Sequence, residues 1–415
     1  MSTITNRVTT AWHIRTAGTD EMRACLAVIQ AAFAEEVSDA EYDDWLKVFE
    51  DGRWIGAYET EDGTEVRGCA AALTFRLTVP GGEVPAAGVT AVAVRPDYHR
   101  RGILRALMRH QLEDVRQRGE PLAVLWASEG VIYQRFGYGL AAMDGRFEVE
   151  TLRTAYTRQA DAEGQVRLVD EEESAAIIPP VYDAMRQVTP GAVSRNDAWW
   201  RHGPLADPAY SRRGSSPKYR AVYEVGGAAE GYAIYRIKDD WDHRGPRNRL
   251  EVKEAVTVTP RALRELWRFL FEVDLVRTVK ADRVPVPNPL QQILAEPRAL
   301  GLIAGDGLWV RLVDLPAALA GRRYATVDSL VLEVADAFCP WNAGRWRLSP
   351  ESAERTTADA ELACDISALG SVYLGGFTFR RLARAGRVTE LREGAAERAD
   401  ALFPVDRAPW CPEIF

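Results

Sequence analysis

The chain of 415 residues is poor in the side chains that build metal centres. Its five histidines do not cluster. Its five cysteines, at positions 25, 69, 339, 364 and 411, show no metal-ligand spacing, so no metal site is expected. An odd, scattered set fits free thiols in a reducing cytoplasm rather than a disulfide framework. No stretch approaches the ~20 apolar residues that a membrane helix needs. The N-terminus lacks the basic start and apolar run of a signal peptide. Positive charge is also short: 52 Lys and Arg stand against 60 Asp and Glu, a net charge of −8. That balance argues against nucleic acid as the main partner, because affinity for that polyanion comes from Lys and Arg. An acidic surface suits a cationic ligand instead.

Hydrophobic residues make up 47% of the chain, ample for large cores. The length suggests two or three domains at ~150 residues each. The most informative stretch runs from Ala91 to Leu104. It reads as a short apolar strand with Val92 and Val94 alternating with Ala91 and Ala93. Pro96 ends that strand, since it has no N–H to donate. Arg100, Arg101 and Gly102 then bring cationic side chains and bare backbone to a helix start, where free N–H groups and the dipole favour an anion. Ile103, Leu104, Leu107, Met108 and Leu112 form one apolar face of that helix. The reading is a loop that grips a phosphate or pyrophosphate; the alternative is a basic helix start left in solvent. A second block follows: strand Leu122–Trp126, loop Ala127–Gly130, then Val131-Ile-Tyr-Gln-Arg-Phe-Gly-Tyr-Gly139.

The basic glycine loop resembles the coenzyme A loop of GNAT acetyltransferases, with His99 and Leu104 standing where that pattern has other residues. The Tyr133 block narrows the resemblance to the Eis family of bacterial acetyltransferases, which modify amines of aminoglycosides. Leu77–Gly81, Asp306–Arg311, Pro316–Leu319 and Leu369–Gly375 extend it over nearly the whole chain. It implies an α/β (α+β) fold: two fused GNAT-like domains, the second degenerate, and a C-terminal sterol-carrier-protein-like domain. The expected divisions are 1–155, 156–300 and 301–415.

Local signals agree. A helix is expected over Asp20–Phe33, strands over Trp54–Tyr58, Gly68–Val79 and Gly88–Val94, and a helix over Gly102–Gln117. The second copy shows strands at Tyr219–Val225, Gly231–Lys238 and Leu250–Thr257. Thr259 then caps a helix whose first position is Pro260, with no basic glycine loop. Val284–Pro289 is Pro-rich and reads as extended. Beyond it, strands are expected at Leu308–Val313, Ser329–Val334 and Arg345–Leu348, and helices at Pro316–Ala320, Ile366–Gly370 and Phe377–Ala385. A sterol-carrier fold does not by itself imply a lipid.

Acetyl transfer needs a neutral amine, a donor to the thioester oxygen, a proton for the leaving thiolate, and proximity. By resemblance, the backbone N–H groups of Val92, Ala93 and Val94 face the thioester of acetyl-CoA. Arg100, Arg101, Gly102, Ile103 and Leu104 hold the pyrophosphate, and Ser128 touches the pantetheine arm. Tyr133 is the expected general acid: a phenol near pKa ~10 keeps its proton at neutral pH and can donate to a thiolate of ~8.5. The alternative is an amphipathic core tyrosine. The chain ends Trp410-Cys-Pro-Glu-Ile-Phe415, unusually apolar for a terminus. The resemblance makes the C-terminal carboxylate of Phe415 the base, although an unperturbed terminal carboxyl titrates near ~3.5 and would need burial or a water relay. A tail docked for stability alone is the other reading. Glu35, Glu36, Asp39, Glu41, Asp43 and Asp44 form an acidic run that is either a solvated helix face or a lure for ammonium groups. Glu35 and Trp45 match substrate-pocket positions, and Glu413, near the terminus, is expected to help bind the substrate amine. Ala91 replaces an aromatic residue of the family pattern, which would widen the pocket. The expected activity is acetylation of aminoglycosides or polyamines by a cytoplasmic homohexamer. Acetylation of protein lysines, or non-catalytic lipid carriage, are the alternatives.

Overall fold

The computed structural model describes residues 12–158, 163–325, 328–350, 352–403 and 405–415. The expectation about a leader segment falls largely on residues 1–11, outside that set. No described helix is long and apolar enough to cross a membrane.

The chain opens with β1 (His13–Thr16), α1 (Met22–Phe33), α2 (Asp39–Leu46), β2 (Trp54–Tyr58), β3 (Gly68–Val79) and β4 (Gly82–Val94). Then come α3 (Ile103–Gln117), β5 (Leu122–Trp126), β6 (Gly139–Leu140) and β7 (Met143–Glu150). The β3–β4 hairpin turns at Gly81, whose φ of 87° suits a residue without a Cβ. One face of the sheet is lined by alanines 57, 70, 72, 87 and 123. Their small size lets α3 lay Leu107, Met108, Leu112 and Val115 against the strands. Each such buried side chain contributes roughly 1.5–3 kcal/mol.

The middle of the chain forms β8 (Gln165–Val169), α4 (Glu171–Arg186), α5 (Asp197–His202), β9 (Tyr219–Val225) and β10 (Ala228–Lys238). It continues with β11 (Asn248–Thr257), α6 (Pro260–Phe271), β12 (Val276–Val284), β13 (Ile303–Asp306) and β14 (Leu308–Leu312). The parallel pair β11–β12, crossed over by α6, repeats the β4-α3-β5 unit. Thr259 caps α6 as expected, accepting from the Ala262 N–H at 3.2 Å. Its hydroxyl donates to Glu230 at 2.7 Å, so a carboxylate stands at this helix start where the first unit presents arginines.

Three strands cross the divisions expected from sequence, the third being Ile303–Asp306, which lies beyond residue 300 yet pairs with Met143–Arg146 in the middle sheet. The first sheet has the order β1-β2-β3-β4-β5-β14-β6, so Leu308–Leu312 completes the N-terminal domain. The second has the order β13-β7-β12-β11-β10-β9-β8, so Met143–Glu150 belongs to the middle domain. The C-terminal sheet comprises β15 (Leu330–Ala335), β16 (Gly344–Leu348), β17 (Ala353–Arg355), β18 (Leu362–Asp365) and β19 (Val388–Glu390), in the order β17-β16-β15-β18-β19. Its helix α7 (Ile366–Tyr373) lies on β6 and β14. Contact there is backbone to backbone: a Cβ on Gly370 would come within 2.3 Å of the Val310 carbonyl. One continuous core therefore runs from Leu73 and Phe75 of β3 to Tyr373 and Phe379 of the C-terminal domain.

Candidate active site

Strands β4 and β5 are parallel partners only from Ala86 opposite Leu122 to Gly88 opposite Val124. Beyond Gly88 they part, while β4 runs on to Val94. The edge of β4 facing β5 thus has backbone groups without a ladder partner, as a strand-like ligand needs. A bulge adds to the bend: Cys69 opposes Ala93 and Ala71 opposes Thr90, leaving two residues, Ala91 and Val92, opposite Ala70. Ala91 takes φ 52° there, a left-handed conformation that costs an L-residue roughly 1–2 kcal/mol. The simple alternation expected from Ala91 to Val94 is broken at this point.

The basic loop follows directly. Arg100 and Gly102 both have positive φ, 62° and 87°, which turns the chain sharply into α3. Among the described residues, a Cβ built on Gly102 meets nothing within 4 Å. The N–H groups of Ile103 and Leu104 begin the helix and have no partner within it. Arg100 and Arg101 are exposed. The loop is pinned by Trp12 Nε1, which donates to the Arg101 carbonyl at 2.8 Å, and by the Arg101 guanidinium lying 4.5 Å from the Tyr98 ring centroid. His99 donates from Nε2 to the Val94 carbonyl at 3.2 Å. These residues suit a diphosphate: helix-start backbone N–H groups flanked by two exposed cations, of which Arg101 also rests on Tyr98 and donates to the Asp97 carbonyl at 3.3 Å.

Tyr133 ends a short helix, Gly130–Tyr133, and is buried at 5% exposure. It packs edge-on against Tyr138 at 5.9 Å, in the core that holds α3, Ala87 and Val89. Burial pushes its phenol up to about 12, with the Ser128 side chain pulling the other way. Ser128 itself is exposed.

On the opposite face of β4, Gly88 touches Phe75 and the terminal Phe415. A Cβ on Gly88 would lie 2.3 Å from the Phe75 ring and 3.3 Å from that of Phe415. The two rings meet at 5.0 Å. Successive side chains of a strand point to opposite faces, so Phe415, beside Gly88, lies on the face of β4 opposite to the core of Ala87 and Val89 that contains Tyr133.

Phe415 lines a chamber of about 530 Å³ together with Glu35, Glu41, Asp44, Trp45 and Ile414. Trp45 is braced by Phe49 at 5.2 Å and Trp54 at 5.4 Å. Glu35 is exposed at the end of α1. Asp44 accepts from Lys47 at 2.8 Å and from the Tyr210 hydroxyl at 2.9 Å, and these partners hold its carboxyl below the usual range. Of the acidic run, Glu36, Asp39 and Asp43 do not line the chamber, and Asp39 pairs with Arg23 at 2.8 Å. Glu413, expected near the amine pocket, does not line it either. Its carboxylate accepts from Arg195 Nε at 2.5 Å, and that guanidinium uses up its charge.

The far wall comes from the middle domain: Trp199 and His202 of α5, Tyr210 and Lys218. Sequence reasoning misses these residues, because nothing in the spacing from Asp197 to Lys218 marks them. Burial pushes the Lys218 ammonium down to about 8, and it donates to the carbonyls of Pro204 at 2.7 Å and Ala206 at 2.5 Å.

A parted parallel strand pair, a cationic glycine loop at the following helix start and a buried tyrosine beyond the next strand define a GNAT N-acetyltransferase. Residues 13–141 and 191–312 each match an acetyltransferase (GNAT) domain family, and residues 315–412 match the sterol carrier protein domain family. An uncharacterized N-acetyltransferase of Streptomyces avermitilis is 40% identical over 89% of this chain and 91% of its own length. N-acetyltransferase Eis of Mycobacterium tuberculosis is 33% identical over 93% of this chain and 95% of its own. The crystal structure of Eis1 from Mycobacterium abscessus superimposes with a TM-score of 0.83 at 34% identity, covering 98% of this chain and 100% of that one. The chain belongs to the Eis family of GNAT N-acetyltransferases.

Proposed function

We propose that this protein acetylates primary amines of multi-amine cations, aminoglycosides or polyamines, at the expense of acetyl-CoA. Support comes chiefly from one observation: Phe415 lies beside Gly88, where the β4–β5 pairing ends, on the face of β4 opposite to the core that contains Tyr133. Tyr133 lies on the α3 face, where the pyrophosphate loop sits. Phe415 lies on the face of the acidic chamber.

Arg100, Arg101 and the N–H groups of Gly102, Ile103 and Leu104 bind the diphosphate, and Ser128 contacts the pantetheine arm. The N–H groups of Val92, Ala93 and Val94 orient the thioester and stabilise charge on its oxygen. Glu35, Glu41 and Asp44 draw a polycation into the chamber, and Trp45 offers it a π face. The Phe415 carboxylate takes a proton from the ammonium, directly or through water, and the neutral amine attacks. The C–N bond forms, the C–S bond breaks, Tyr133 gives its proton to the departing thiolate, and the acetylated nitrogen sheds its second proton to solvent, from which the Tyr133 phenolate is reprotonated. Burial keeps Tyr133 protonated until that moment. The reading places this chemistry in a cytoplasmic homohexamer, as the family resemblance implies.

Thiol release from acetyl-CoA tests the proposal, with kanamycin-like amines, spermidine and lysine peptides as acceptors. Turnover with the multi-amine compounds that is lost on deleting Phe415, with thermal stability intact, is the expected result. Release with lysine peptides alone would move the assignment to protein acetylation. No release with any acceptor, together with co-purified lipid, would favour a carrier.

A further inference from the structure

The last six residues are fixed almost to their end. The Trp410 N–H donates to the Pro190 carbonyl at 2.8 Å, and its indole N–H to the Arg283 carbonyl at 3.0 Å. Arg283 Nε donates to the Pro412 carbonyl at 3.3 Å. The last anchor is Glu413, bound by Arg195. Only two residues follow it. Ile414 is 54% exposed, and Phe415 is held through its ring.

Arg195 is a junction of three parts of the molecule. Its neighbour Ser194 is sewn to β3 of the catalytic domain, donating from its N–H to the Arg76 carbonyl at 2.9 Å. Its guanidinium grips Glu254 of β11 in the middle domain, Nη1 to Oε1 at 3.1 Å with the second contact parallel to it. Its Nε holds Glu413 of the tail at 2.5 Å. The side chain is 1% exposed and lies 3.9 Å from the Tyr182 ring and 4.5 Å from that of Trp200. Tyr232 donates to the same Glu254 carboxylate. Two carboxylates thus share one buried guanidinium, with Arg283 close by. Burial raises the Glu413 carboxyl against the pull of Arg195. A buried cluster of this kind is weak evidence for stability, but removing one partner leaves an uncompensated buried charge, so the arrangement holds only with all partners in place.

We infer that Arg195 and Glu413 are positioning residues: they clamp the tail so that the Phe415 carboxylate reaches the acidic chamber. The inference rests on the reading of that carboxylate as the base. It assigns the middle domain a task, gripping the terminus through Glu254 and Arg195.

Because Arg195 is wholly enclosed, its removal risks misfolding, so the test uses Glu413. Glu413→Ala frees the tail, and a misplacement of about 1 Å can cost ~10²-fold in turnover. Expected is a fall in kcat of that order, with KM for acetyl-CoA unmoved. Glu413→Gln keeps an oxygen for Arg195 Nε and should recover at least about tenfold of the loss, the scale of one hydrogen bond to a charged group. In a chain lacking Phe415, Glu413→Ala should bring no further loss, since nothing remains to be positioned. A crippled Phe415 deletion beside a full-speed Glu413→Ala enzyme would sink the clamp alone. So would a Glu413→Ala loss that recurs undiminished without Phe415, which would give Glu413 a role independent of the terminus. A Phe415 deletion at full speed would remove the base assignment and the clamp's purpose with it.

Discussion

Replacing Tyr133 by Phe removes one hydroxyl and nothing else from a buried site. The ring is 5% exposed and packs edge-on against Tyr138 at 5.9 Å, and phenylalanine preserves that contact. Thermal stability should therefore stay close to that of the parent. Activity should not. Proton donation to a leaving group is worth roughly 10²–10⁴-fold, or about 3–5 kcal/mol of barrier at ~1.36 kcal/mol per decade. The loss should appear in kcat, measured by thiol release at saturating acetyl-CoA and amine. Burial disfavours the phenolate and raises the pKa to about 12, so the group stays protonated through about pH 10. The parent enzyme should accordingly show no fall in kcat from this group across that range. Tyr138→Phe is the matched control: it deletes a buried hydroxyl that has no hydrogen-bond partner among the described residues, and kcat should not move. A Tyr133→Phe enzyme within threefold of the parent would refute the assignment of the acid.

Replacing Arg100 and Arg101 together by Ala removes two charge-assisted contacts to a diphosphate, at roughly 1.5–3 kcal/mol each; KM for acetyl-CoA should rise by about 10²-fold or more, and the salt dependence of that KM should flatten. Gly88→Ala drives a methyl group to 2.3 Å from the Phe75 ring, which must shift against Phe415, so kcat should fall far more than the affinity for acetyl-CoA measured by calorimetry. Burial raises the Asp144 carboxyl to about 6, and one of its oxygens has no partner among the described residues. A raised acid pKa means that stability is present below the unfolded value and is lost as pH rises through the folded one. Asp144→Asn should therefore raise Tm more at pH ~8 than at pH ~5, and equal Tm changes at both would contradict the burial argument.

Much of the local structure is legible in the residues. Trp54–Tyr58, Gly68–Val79 and Leu122–Trp126 are strands over the ranges their composition suggests. Thr259-Pro260 announces a helix start by cap chemistry alone. The basic loop is legible because cations, a glycine and an amphipathic helix occur in the one order that builds an anion site. Pairing is not legible. Leu308–Leu312 carries the same apolar pattern whichever sheet receives it, and the choice is made by partners nearly two hundred residues away in sequence. Ala91 gives no hint of its left-handed φ, because alanine has no turn chemistry. Trp199, His202 and Tyr210 reach the chamber only through the docking of the middle domain. Glu413 misleads for a related reason: nearness to the terminus suggests a role toward the amine, whereas a distant arginine claims its charge.

The exchange of β7 and β14 between the first two sheets sets a timetable for biosynthesis. When Leu140 leaves the ribosome, β5 still exposes an apolar edge of the sequence Leu-Ala-Val-Leu-Trp, and the strand that will cover it has not been made. At ~5–20 residues per second, the wait until Leu308 emerges is on the order of 10–30 s. During that interval the nascent N-terminal portion holds an open, aggregation-prone flank, so a chaperone that shields hydrophobic strand edges should govern the yield of this protein more than its final stability does.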